Sequence, residues 1–148
     1  INLYSIYTKD YQSIPLKSSL KDYEKLLGKG KISTPEEQPD CGTYWDEGIT
    51  RYLDYPNFHF ELNDKNEAGW MAILLRGSGL TLYTDHGTLS ENTTAKELRA
   101  IFKNPDSWDI EKDGTSILTL MLGDSDDLVR FYFSKNGKLE KVIHVIQC

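Results

Sequence analysis

The sequence predicts an α+β fold made of two pseudo-repeats, each a helix followed by an antiparallel β-meander, with the helices covering one face of the sheet. Three observations predict it. An apolar stripe at helical spacing, Leu20, Tyr23, Leu26 and Leu27, returns 75 positions on as Ala95, Leu98, Ile101 and Phe102. A polar segment holding a Trp-Asp pair follows each stripe, Trp45 with Asp46 and Trp108 with Asp109. Three runs of β-branched and aromatic residues, parted by turn residues, then follow each pair.

The first helix has Ser19 as its N-cap and Gly28 as its stop. The second is capped by Thr94 and ended by Asn104 and Pro105, since the residue before a proline avoids the helical region. In the first half, residues 49–55, 58–62 and 70–75 read as strands separated by Pro56 and by the Asn63, Asp64, Lys65, Asn66 run. In the second, residues 116–122, 128–133 and 139–146 fill the same places, divided by residues 123–127 and by Lys135, Asn136 and Gly137. Phe58, His59 and Phe60 match Phe131, Tyr132 and Phe133 at the centre strands. The turns are short, and parallel neighbours would need crossovers of about a dozen residues, so each triplet is antiparallel. Leu3 to Tyr7 and Leu80 to Thr84 are expected to add an opening and a linking strand. One domain over residues 1–148 results, with pseudo-repeat one at about 16–77, a linker at about 78–90 and pseudo-repeat two at about 91–146.

A helix ending in Leu27 and Gly28, or in Phe102, Lys103, Asn104 and Pro105, then a polar loop and an antiparallel meander, resembles the repeat of the β-lactamase-inhibitor-protein and outer-membrane-assembly lipoprotein (BamE-like) group. The two copies cover roughly residues 16–146. The resemblance implies a tandem repeat forming one larger sheet, an exported location, and a role in binding another protein. It carries over no contact residue onto this chain.

Charge narrows the partners. Seventeen Lys and Arg against 23 Asp and Glu leave a net charge of −6, the wrong sign for phosphate backbones or anionic lipid. No nucleic-acid partner is expected. The longest strongly apolar stretches, Trp70 to Leu75 and Ile117 to Leu122, fall far short of the roughly 20 residues that cross a bilayer as a helix, so no transmembrane segment is expected. Cys41 and Cys148 are the only cysteines, and an even count with one member at the last residue predicts a disulfide. With Ile at position 1, the chain reads as a processed form whose signal peptide has been removed, periplasmic or secreted.

Catalytic and metal signatures are not expected from these residues. His59 alternates with Phe58 and Phe60, and His144 with Ile143 and Val145, which predicts packing or solvent-side histidines. His86 follows Asp85 on a turn, and adjacent side chains make a poor acid-base dyad. Asp124, Asp126 and Asp127 alternate as calcium would accept, but the segment lacks the downstream Gly and bidentate Glu of an EF-hand loop. Gly28 to Lys31 follow a helix where a phosphate loop would open one. No cofactor, no metal and no catalytic residue are predicted.

Nine Tyr and three Trp are the positive signal, because these residues dominate protein interfaces. They cluster with carboxylates between Asp40 and Asp54, and Tyr44, Trp45, Asp46, Glu47, Tyr52 and Asp54 are the expected partner-binding residues. Tyr44 and Trp45 would be the anchors, with Asp46 and Glu47 as rim charges. The sequence therefore points to an exported protein-binding domain, an inhibitor or immunity-type protein that blocks a basic enzyme or toxin. The alternative is a BamE-like envelope assembly module, and the third reading a small hydrolase.

Overall fold

A computed structural model describes residues 1–148. In chain order the elements are β1 (Leu3–Tyr7), β2 (Ser13–Ile14), β3 (Lys17–Ser19), α1 (Leu20–Leu27), β4 (Lys31–Ser33), β5 (Arg51–Tyr55), β6 (Phe58–Leu62) and β7 (Glu67–Leu74). They continue as β8 (Thr81–Thr84), β9 (Gly87–Leu89), α2 (Ala95–Ile101), a 3-10 turn (Pro105–Ser107), β10 (Trp108–Ile110), β11 (Ser116–Met121), β12 (Leu128–Phe133) and β13 (Leu139–Val145).

The strands of both meanders form within a residue or two of the expected bounds, except that β7 begins three residues early. So do both helices, and for the expected reasons. Ser19 and Thr94 accept hydrogen bonds from the backbone N–H groups of Asp22 and Glu97, and Gly28 closes α1 at φ 83°. The fold class differs from the expectation. The protein is 42% strand and 12% helix, so it is a mostly-β fold and not two helix-covered repeats.

A nine-stranded antiparallel sheet runs β10-β11-β12-β13-β7-β6-β5-β4, with β3 added on β7. β7 shares one edge between two partners. Its end at Ala72 to Leu74 pairs with Ile143 to Lys141 of β13, and its start at Glu67 to Gly69 pairs with β3. A second, four-stranded sheet runs β2-β1-β8-β9. Segment 78–90, expected as a linker, supplies β8 and β9, and the opening residues supply β1 and β2.

This second sheet is the physical reason for the correction. The inner face of the large sheet presents Leu53, Phe58, Phe60, Leu62, Ile73, Leu118, Phe131, Phe133 and Val142, all buried. The two helices are eight and seven residues long and bury only Tyr23, Ala95 and Leu98, too little apolar cover for so wide a sheet. Ile6, Ile14, Leu80, Leu82 and Leu89 from the small sheet and the segments beside it complete it, and all these side chains form one core cluster. At its centre the Tyr23 ring stacks on Phe60 at 4.2 Å, and the Tyr23 hydroxyl donates to the Pro15 carbonyl. The two Trp-Asp pairs also part company: Trp108 opens edge strand β10, whereas Trp45 lies in a loop.

Candidate functional site

Side chains alternate across a strand, so the large sheet has a second face turned away from the core. Register pairing sets out its rows. One runs Thr119, Arg130, Ile143, Ala72, His59, Asp54, Lys31 across seven strands. Beside it lies the row Ile117, Tyr132, Lys141, Leu74. No side chain in either row is buried, and none packs on the core cluster. Along the face Lys141 Nζ sits 4.7 Å over the Tyr132 ring, Tyr52 lies 4.9 Å from the His59 ring, and His59 Nδ1 is hydrogen-bonded to Asp54.

A third row, Lys17, Gly69, Glu61, Tyr52, Ser33, closes one end of this face, and the loop between β4 and β5 lies across it as a strap. Gln38 fastens the strap to Thr50, donating to its carbonyl at 3.1 Å and accepting from its N–H at 2.7 Å. The Cys41–Cys148 disulfide ties it to the C-terminal residue, with Cα atoms 5.3 Å apart. Trp45 donates from its backbone N–H to Glu61 Oε2 and from Nε1 to the Glu61 carbonyl, both at 3.0 Å. The first of these gives the carboxylate of Glu61, a residue only 2% exposed, its hydrogen-bond partner. Lys17 Nζ covers the Trp45 ring at 4.9 Å. Tyr44 requires the glycine beneath it, since a Cβ on Gly69 would fall 2.2 Å from its ring.

The structure thus brings most of the predicted residues to one end of one face. Tyr52 and Asp54 stand on it, and Trp45 roofs Glu61. Asp46 and Glu47 are exposed at the margin, where they line a cleft with Asp64 and Glu67. Tyr44 is half-buried, packed between Gly69, Trp45 and His144.

Sequence reasoning missed the middle of the open face, and it gave His144 as a packing or solvent-side histidine without its partners. Arg130, Tyr132, Lys141 and Ile143 occupy the middle of the open face. His144 is 6% exposed, its ring stacked on Trp70 at 4.9 Å. His144 Nδ1 lies 3.2 Å from the Trp70 carbonyl and Nε2 lies 2.9 Å from Asp127 Oδ2. A carbonyl only accepts, so Nδ1 is the donor in the contact with Trp70. Both nitrogens are engaged, which makes the ring a brace between β13, β7 and the β11–β12 turn. The Asp85–His86 contact also forms, at 2.9 Å, but Asp85 is held below the usual carboxylate range chiefly by the Asn2 backbone N–H, with His86 adding to it. The pair ties the chain start to the β8–β9 turn.

Tyrosine ionisation reports this packing. Burial pushes the Tyr23 hydroxyl well above its usual range, with Tyr44 and Tyr55 adding to it; burial and then the Asp127 charge raise Tyr44, and burial and then Glu24 raise Tyr55. A raised folded-state value means that the unfolded chain releases these protons first. The stabilisation is complete below about pH 10 and falls away as pH rises through the folded-state values. Absorbance at 295 nm should show three of the nine tyrosines ionising late, with urea midpoints dropping from pH 10 upward. Nine tyrosines titrating together with constant midpoints would contradict the packing described.

Comparison of the chain with protein-family models, curated protein sequences and solved structures returned no match.

Proposed function

We propose that this chain is an exported protein-binding domain of the inhibitor or immunity type, which lays the open face of its nine-stranded sheet over a basic enzyme or toxin and blocks it. The observation that carries the reading is that uncovered face. It is wide and continuous, and it mixes Tyr52, Tyr132, Ile117, Ile143 and Leu74 with Arg130, Lys141 and Lys31. Aromatic and Arg anchors in an aliphatic setting are the make-up of energetic centres in protein interfaces. Trp45 supplies a wall at one end. Asp46, Glu47 and Asp64 stand beside it, and with the net charge of −6 they favour a partner basic at the matching edge. The disulfide supports the exported location.

The test is site-specific photo-crosslinking in cells of the source organism, with the crosslinker at Ile143 and, as a control, at Lys96 on the exposed side of α2. A partner captured through Ile143 and not through Lys96 is the expected result. Titration of that partner should then show Tyr132→Ala weakening binding at least 30-fold, about 2 kcal/mol. Asp46→Ala should change mainly the association rate and its salt dependence. Capture through Lys96 alone, or native affinity in folded Tyr132→Ala, would remove the open face from the reading.

A further inference from the structure

Strand β10 is one edge of the nine-stranded sheet, and no strand pairs with its outer side. The ladder decides where its backbone groups point. Glu111 N–H donates to the Thr115 carbonyl at 2.9 Å, in register with the pairs Ile110–Ser116 and Asp109–Ile117. Antiparallel pairs alternate between bonded and non-bonded, so residues 109 and 111 direct their backbone groups to β11, while 108 and 110 turn theirs to the edge. Trp108 N–H returns to the Pro105 carbonyl. The Trp108 carbonyl and both backbone groups of Ile110, a residue 67% exposed, have no partner in the protein.

Between this edge and the end of α2 lies a groove lined by Arg99, Phe102, Lys103, Pro105, Trp108 and Ile110. Four of the six are apolar and the two charges are both positive, although the chain as a whole carries −6. The nearby carboxylates stand elsewhere. Asp109 extends the row of Ile117 and Tyr132 on the open face, alternation sends Glu111 the same way, and Asp106 lies on the 3-10 turn outside the lining. Arg99 is the fixed point of the groove. Its guanidinium sits 5.0 Å over the Trp108 ring, which packs on Phe133 with centroids 5.7 Å apart and donates from Nε1 to the Phe102 carbonyl at 2.8 Å. The indole is held in place, and the cation with it. Yet none of the four salt bridges of the protein engages Arg99 or Lys103. A guanidinium only donates, through a planar fork that matches a carboxylate.

Unpaired peptide groups beside two unpaired cations call for an acid carried on a peptide backbone. We infer that the β10 edge takes an extended acidic segment of another protein as an added strand. Every pairing in this sheet is antiparallel, and the incoming strand continues that pattern. One of its residues then lies opposite Ile110 and exchanges both backbone bonds with it, and the residue two positions later lies opposite Trp108 and donates to its carbonyl. Both of these residues point their side chains to the groove side of the sheet. An apolar side chain at the first covers Ile110, and an aspartate or glutamate at the second accepts from the Arg99 fork, with Lys103 adding to the attraction. The recognised pattern is therefore apolar, any residue, acidic, read from the N-terminus. This edge is separate from the open face and selects the opposite charge, so the inference does not rest on the binding mode proposed above.

Amide NMR spectra of the nitrogen-15-labelled full chain, titrated to low millimolar concentration with the peptide acetyl-Thr-Val-Thr-Glu-Thr-amide, test it. Shifts should saturate over Trp108 to Ile110 and at the end of α2, and the Ile110 amide should exchange with solvent more slowly in the complex. The same peptide with Lys in place of Glu should give no saturation, an arm that needs no variant of the protein. Arg99→Gln should weaken the Glu peptide at least tenfold, whereas Lys141→Gln on the open face should leave it unchanged. Ile110→Pro deletes the edge N–H at a position where an edge strand tolerates proline, and should abolish binding. No saturable shift, shifts centred away from β10, equal affinity for the Glu and Lys peptides, or native affinity in folded Arg99→Gln would overturn the inference. So would a dimer in light scattering that Ile110→Pro converts to monomer, because the edge would then pair two copies of the chain.

Discussion

Removing the disulfide, by Cys41→Ser with Cys148→Ser, is expected to lower stability by about 2–5 kcal/mol, enough to shift the melting temperature by roughly 10 °C. The bridge links residues 107 positions apart, and closing so long a loop restricts the unfolded chain by about 4.7 kcal/mol at most. A second effect is local. Cys41 precedes Tyr44 and Trp45, and the strap they belong to has no regular secondary structure of its own. Its remaining fastenings are the Gln38–Thr50 pair and the Trp45–Glu61 bonds. Urea unfolding of the double variant, followed by tryptophan fluorescence, measures both consequences. An unchanged midpoint would show that the strap and the C-terminus hold their places without the bridge.

The other large effect is expected from Phe60→Ala. Phe60 is fully buried at the centre of β6, stacked against Tyr23 at 4.2 Å, with Phe58 at 5.7 Å and Tyr55 at 6.2 Å. Truncation removes the transfer free energy of the ring and leaves a cavity that a nine-stranded sheet cannot easily collapse around. A loss of about 3–5 kcal/mol follows. Set against the 5–15 kcal/mol that stabilises a typical domain, this is a large share of the total. Tyr132→Ala, on the same sheet but on its open face, should cost less than about 1 kcal/mol. Equal midpoints for the two variants in chemical denaturation would mean that the two faces have been assigned the wrong way round.

Elements were legible in the sequence where a local rule decides them. Ser19 and Thr94 announce helix starts through side-chain capping, and Gly28 announces a stop through its backbone freedom. The alternation in Phe58 to Leu62 gives a strand and its inward face together. Pairings between distant segments were not legible. Leu3 to Tyr7 reads as a strand, but nothing local says that it pairs with Thr81 to Thr84, and that pairing builds the layer that makes the fold mostly β. Near-uniform hydrophobicity hid part of the site. In Leu128 to Phe133 the outward set, Leu128, Arg130 and Tyr132, is marked only by Arg130, because Leu128 and Tyr132 are as apolar or aromatic as the inward Val129, Phe131 and Phe133. The aromatic-acidic cluster at Tyr44 to Asp54 stood out by composition, whereas the burial of Glu61 and His144 depends on a loop and a turn that fold over them from elsewhere in the sequence.

The edge that β7 shares between β13 and β3 has a kinetic consequence. The hairpins on either side of it close over short turns, on the order of microseconds. The joint itself is only three residue pairs, and it brings Ala72 to Leu74 against Lys141 to Ile143 across a long stretch of chain. Loop closure must be met before those few pairs offer any return, which makes this joint, like the β1–β8 pairing, a late-rewarded long-range closure. Cys148 lies three positions past the end of β13 while the strap bearing Cys41 rests on β6 and β7, so this joint brings the two thiols side by side. The bridge then fastens that joint.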